Sequence, residues 1–149
     1  MKTTSALGGG LAGALALTLL HETVRQLQPK APRLDLLGME AIAKLLLKSG
    51  ERPPDDPTLH RMALAGDVVA NSLYYSLAGI GKQENVWLRA ALMGLGAGIG
   101  AVTLPEPLGL SEKPSGQTFQ TKAMTVAWYV AGGLAAAAVA HLLENKGQK

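Results

Sequence analysis

Charge is missing from most of this chain, and the places where it is missing constrain the fold more than any motif does. Residues 3–20, 59–81, 86–104 and 123–140 are long apolar runs, and each contains few ionisable side chains or none. A bilayer core of about 30 Å demands about 20 mainly apolar residues in helical form. The runs therefore predict spans over about 4–24, 58–81, 86–104 and 118–143. Charged residues make up 17% of the chain against 48% hydrophobic, a membrane composition. The expected fold class is all-α, an integral membrane four-helix bundle with an amphipathic helix in the first long loop. One membrane domain, 1–149, accounts for the whole length.

The first run begins like a secretory signal, with basic Lys2, an apolar stretch and Ala14-Leu15-Ala16. Gly8, Gly9, Gly10 and Gly13 instead suit a retained helix that approaches a neighbour closely. Pro29 and Pro32 end it, and residues 33–49 read as an amphipathic helix. Glu40, Lys44 and Lys48 share one face, while Leu34, Leu37, Ile42, Leu45 and Leu46 cover another. Such a helix lies on the bilayer surface or packs against the ends of the bundle. The rigid ERPPDDP segment at 51–57 resets the chain, Thr58 is the expected N-cap of the second span, and Gly79 and Gly81 permit its stop. The third span carries two GxxxG pairs, Gly94/Gly98 and Gly96/Gly100, and the fourth carries Gly132-Gly133. Gly9, Gly13, Gly94, Gly98, Gly132 and Gly133 are the expected helix-packing residues. The tail, 144–149, reads as solvated.

Seven Lys and Arg residues fall around the first long loop and two around the third, against five elsewhere. By the positive-inside rule both termini face away from the cytoplasm. The segment LPEPLGLSEKP at 104–114, followed by a last apolar helix, resembles the Pro-x-x-Gly-Leu-x-x-x-Pro link of YagU-like bacterial inner-membrane proteins, a group connected with acid tolerance. The resemblance implies a multi-pass protein of the bacterial inner (plasma) membrane. The last helix lacks the aromatic-rich, His-containing pattern of that group, so no functional residue is carried over.

Asp67 is the feature that apolar composition does not explain. His60, Asp67, Asn71 and Tyr74 are spaced 7, 4 and 3 apart, which aligns them on one helical stripe. At 1.5 Å per residue Asp67 lies roughly 9 Å beyond Arg61. A charge there costs at least about 2.5 kcal/mol, so it demands a partner, a proton or water. Topology collects His21 and Glu22 at the same end, giving an expected intramembrane polar cluster of His21, Glu22, His60, Asp67, Asn71 and Tyr74. Arg25, Arg61 and Lys122 are its expected ion-pair partners, and His141 belongs to the opposite end.

With no Cys in the chain, thiolate chemistry and disulfides are absent. No GxSxG or HExxH occurs, so no catalytic residue is expected. His21 and His60 reach one depth and imidazole suits several divalent metals, but no metal and no other cofactor is expected. The sequence points to a structural or accessory membrane protein that binds the bilayer and a membrane partner or further copies of itself, not nucleic acid. The alternative is an oligomeric proton or small-solute conductor linked to pH or envelope stress.

Overall fold

The computed structural model describes residues 1–147, and among these the chain is helix, turn and loop with no strand. Six α-helices follow in order: α1 (Thr3–Leu27), α2 (Leu34–Lys48), α3 (Asp56–Ser76), α4 (Val86–Thr103), α5 (Lys113–Gly116) and α6 (Phe119–Lys146). Two 3-10 turns, Leu77–Gly79 and Gln83–Asn85, link α3 to α4. Three segments are long and apolar enough to cross a membrane: α1, Gln83–Thr103 and α6.

Small residues decide which helices meet. Gly9 of α1 faces Ala140 of α6 and Gly13 faces Ala136, so the two helices run antiparallel; a Cβ on Gly9 would stand 2.5 Å from the Ala140 methyl. On another side of α6, Gly94 of α4 lies against Tyr129, and a Cβ there would stand 2.6 Å from the Tyr129 carbonyl oxygen. Gly98 sits against Val126, and Gly133 of α6 against Ala90. Packing at this range maximises dispersion and needs no hydrophobic driving force, which lipid does not supply. All six expected packing glycines lie at these interfaces, with Gly132 between Leu17 and the Tyr75 hydroxyl. Gly10 adds a contact to Ser72 and Ser76 of α3.

The four long helices thus form a curved row, α3–α1–α6–α4, in which α1 and α6 are interior and the ends, α3 and α4, barely touch. One direct tie crosses between the ends: the Tyr74 hydroxyl donates to the Met93 carbonyl at 2.9 Å. Tyr75, fully buried, ties α3 to α6 by donating to the Tyr129 carbonyl at 2.7 Å. The outside of the row is apolar. Leu7, Leu11, Leu15 and Leu19 form an exposed stripe on α1, and Leu88, Leu92, Leu95 and Ile99 do so on α4. The interior is rich in Gly, Ala and Thr, with Leu17, Tyr75, Val86 and Trp128 filling it between them, a pattern that suits lipid outside and close backbone contact within.

Both ends of the row are closed by polar contacts. The Lys2 amide donates to Glu144 at 2.8 Å, and Gln83 bonds Asn145 at 2.9 Å. At the other end α2 lies across α3 and meets the α4–α6 loop, where the Arg33 amide donates to the Pro114 carbonyl at 2.6 Å and the Ser111 amide to Glu40 at 3.0 Å. Glu40 and Lys44 pair at 2.8 Å as their spacing predicts.

Three local expectations are corrected. The second long helix starts at Asp56 with Asp55 as N-cap, not at Thr58, because Pro57 fits the first helical turn, where its missing N–H costs nothing. It also ends as α-helix at Ser76 and tightens into the 3-10 turn before Gly81, whose φ of 101° only glycine adopts easily. The tail expected over 144–149 is helical to Lys146, and Glu144 is buried by its contact with the chain's first turn; 148 and 149 lie outside the described residues.

The two GxxxG pairs of α4 differ in environment. Gly94 and Gly98 are buried against α6, whereas Gly96 has only the Tyr74 hydroxyl nearby, at 3.8 Å from a Cβ. Gly94→Ala is expected to destabilise the protein by about 1–3 kcal/mol through overpacking. Gly96→Ala is expected to be neutral or to stabilise by up to about 1 kcal/mol through helix propensity. Thermal unfolding in detergent compares the two; equal melting temperatures would contradict the asymmetry.

Candidate functional site

The charged residues at the α2 end converge on a carboxylate that periodicity alone passes over. Asp35 occupies the first turn of α2, favourable for an acidic side chain beside free N–H groups, and only 2% of it is exposed. Arg33 grips it with two hydrogen bonds, Nε to Oδ1 at 2.9 Å and Nη2 to Oδ2 at 2.7 Å. Arg25 of α1 stands 3.8 Å away and is itself held by Glu22 at 2.6 Å. His21 Nε2 lies 3.6 Å and His60 Nδ1 4.0 Å from the same carboxylate. Asp35 therefore joins α1, α2 and α3.

His21 is buried, and its imidazole stacks obliquely on Trp128 of α6 with ring centres 5.8 Å apart. The Leu34 amide donates to His21 Nε2 at 3.2 Å, so that nitrogen presents its lone pair to the start of α2. Thr121 of α6 donates to the Lys30 carbonyl at 3.1 Å, closing the same corner from the fourth helix. Burial pushes the Asp35 carboxyl up, but the Arg33 hydrogen bonds, with the charges of Arg33 and Arg25, outweigh it and hold the group below its ordinary value of 3.8.

The expected cluster thus divides. His21, Glu22, His60 and Arg25 gather on Asp35, while Asp67 and Asn71 lie one level deeper. Tyr74 turns to the α4 backbone. Arg61 and Lys122 are corrected as partners of this cluster. Arg61 is exposed and bonds Thr58 on its own helix at 3.3 Å. Lys122 pairs with Glu112 at 3.2 Å. Long basic side chains at a helix end reach outward to water more cheaply than inward. His141 bonds Gln83 at 3.2 Å at the opposite end, as expected.

Among the described residues Asp67 has no hydrogen bond and no ion pair. Its carboxylate faces Gly38 of α2 and an enclosed cavity lined also by His21, Asn71 and Tyr129. That cavity has ≈ 10 Å³ open to the centre of a water molecule, room for about one. Asn71 and Tyr129 also form part of a second, larger space, the groove left where α3 and α4 fail to meet. The groove measures ≈ 580 Å³ and is lined mainly by Leu37, Ala70, Gly96, Gly100 and Leu108. No group of three or more His, Cys, Asp or Glu among the described residues is arranged to hold a metal ion.

Asp35 had one signal in the sequence. Helical spacing puts it in line with Gly38, Met39 and Ile42, so an acidic residue stood at the edge of an apolar face. No protein-family model matches the chain, and neither a curated protein nor a solved structure matches it.

A carboxylate held below its ordinary value stabilises the fold above that value and ceases to do so as pH falls through the folded-state pKa. Asp35→Asn is expected to lower stability by about 3 kcal/mol at neutral pH. The difference between native and variant should stay constant above the ordinary value of 3.8 and shrink below it. Melting curves of both proteins against pH test this; a gap that persists unchanged in strong acid would show that the ion pairs are not its source.

Proposed function

We propose that this chain is a small multi-pass protein of the bacterial inner (plasma) membrane with a structural or accessory role, binding a membrane partner or further copies of itself, and that it is not an enzyme. The observation that carries the reading is the outward face of α3. Met62, Val69 and Leu73 are exposed along it, and Leu77 and Ile80 continue the apolar exposure into the turn that follows, while Asp67, Asn71 and Tyr74 turn toward the other helices. An apolar outside with a polar inside is what a fourth crossing requires even where mean hydropathy is low. A fourth crossing also agrees with the meeting of Lys2 and Glu144 at one end. The ion pairs at Asp35 support a register-fixing part, because they tie three helices. The link at 104–114 and its likeness to YagU-like proteins favours a bacterial inner membrane.

One observation favours a second reading, an oligomeric proton or small-solute conductor linked to pH or envelope stress. Asp67 carries a carboxylate without a cation at membrane depth, the type of residue that marks ion paths. Against conduction by one copy, the space beside it holds about one water.

The absence of Cys makes topology directly testable. Single-cysteine variants Lys30→Cys and Ser111→Cys are expected to react with a membrane-impermeant maleimide from one side, and Lys82→Cys from the other. Labelling of Lys82→Cys from the same side as Lys30→Cys would exclude α3 as a crossing. In liposomes, native protein and Asp67→Asn are both expected to leave a pH gradient intact. Dissipation by the native chain that disappears in the variant would replace the accessory reading with conduction.

A further inference from the structure

We propose that the gap between α3 and α4 is a binding site for an amphiphile with an apolar chain and a primary ammonium head, the chain lying in the groove and the ammonium reaching Asp67. The inference goes beyond an accessory role. It rests on α3 crossing the membrane, which the cysteine labelling tests separately.

Three observations define the occupant. The groove is apolar, and its ≈ 580 Å³ falls within the usual range for small-molecule sites, about 300–1,000 Å³. A whole transmembrane helix would not fit it. The groove is an open space and not a sealed cavity, so, with α3 in the bilayer, an apolar chain enters from lipid. Its floor includes Gly96 and Gly100, whose missing side chains create the space: nothing but the Tyr74 hydroxyl and the Leu104 side chain lies within 4 Å of a Cβ built on either.

The inner end supplies the chemistry. Asn71 and Tyr129 line both the groove and the small cavity at Asp67, so they form the boundary between the two. Among the described residues the Asp67 carboxylate has no cation, and the Tyr129 hydroxyl has no side-chain hydrogen-bond partner. A primary ammonium carries three N–H donors and no acceptor. Asp67, Asn71 and Tyr129 line a space about one water in size, and each side chain carries an acceptor oxygen. A –NH₃⁺ group is close to that size, whereas a trimethylammonium head is larger and donates nothing. An alcohol fits the space but leaves the carboxylate uncompensated at membrane depth, where an unpaired charge is costly. Charge, donor number and size therefore select the same head group. A free alkylamine and a lipid with an ethanolamine head both carry it.

The test is calorimetric titration of the full chain in phosphatidylcholine nanodiscs with octylamine, using octyltrimethylammonium as the matched control. Octylamine is expected to saturate one site, and Asp67→Asn to weaken it roughly tenfold or more, as expected for loss of a charge-assisted hydrogen bond. The trimethyl compound should bind the native chain no better than empty nanodiscs. Gly96→Leu, which leaves the three polar groups in place and fills the groove, should also weaken octylamine. Its melting temperature, with that of Asp67→Asn, is checked first; if Asp67→Asn does not fold, Gly96→Leu and the head-group comparison decide the matter. Equal binding of the two head groups, or octylamine binding unchanged in Gly96→Leu, would overturn the proposal. Repeating the titration in nanodiscs that contain phosphatidylethanolamine separates the sources: competition identifies the lipid, and unchanged affinity identifies the free amine.

Discussion

The arrangement of the molecule depends on one helix having two smooth sides. α6 presents Gly132, Ala136 and Ala140 to α1, and Gly133 with the backbone around Val126 and Tyr129 to α4. At these points no Cβ fits on the facing glycines, so the backbones touch and dispersion acts at its optimum. Once α6 holds a partner on each side, α3 packs chiefly on α1 and reaches α6 and α4 only through the Tyr75 and Tyr74 hydroxyls. The α3–α4 gap is a consequence of that order, and the bare backbones of Gly96 and Gly100 widen it.

The second constraint is electrostatic and concerns the corner where α2 joins the row. Asp35 is buried among Arg33, Arg25, His21 and His60, and burying its charge is tolerable only because the two guanidinium groups compensate it. Such a group contributes more to the uniqueness of the arrangement than to net stability. It places an otherwise surface-seeking amphipathic helix across α3 at a defined register, and Gly38 lets it approach Ala63 closely. The end of the row is thereby covered by α2 and by the loop that Arg33 and Glu40 hold through Pro114 and Ser111.

These two constraints leave Asp67 in an unusual position. The cations at that end are taken by Asp35, Glu22, Glu112 or solvent, so α3 carries a carboxylate that the fold itself does not neutralise. Its neighbours are an amide, a phenol and a space for about one water, and the amide and the phenol also line an apolar groove. A polar register lock would not need that groove. A site for a small cation with an apolar body would.

The sequence by itself determined the helices, because length and charge-free composition leave the backbone no other way to satisfy its polar groups in lipid. It also determined the packing glycines, because small-xxx-small spacing survives in any neighbour arrangement, and it brought His21, Glu22, Arg25 and His60 to one end through topology alone. Tertiary structure decided the rest. Spacing aligns Asp67 with His60, Asn71 and Tyr74, but it cannot say which cation reaches which carboxylate. That depended on Asp35, a residue legible only as an acidic edge on an apolar face until α2 folded back onto α1 and α3. Likewise two identical GxxxG pairs on α4 have the same local pattern. Only the position of α6 made Gly94 and Gly98 a contact, and left Gly96 and Gly100 as the floor of a groove.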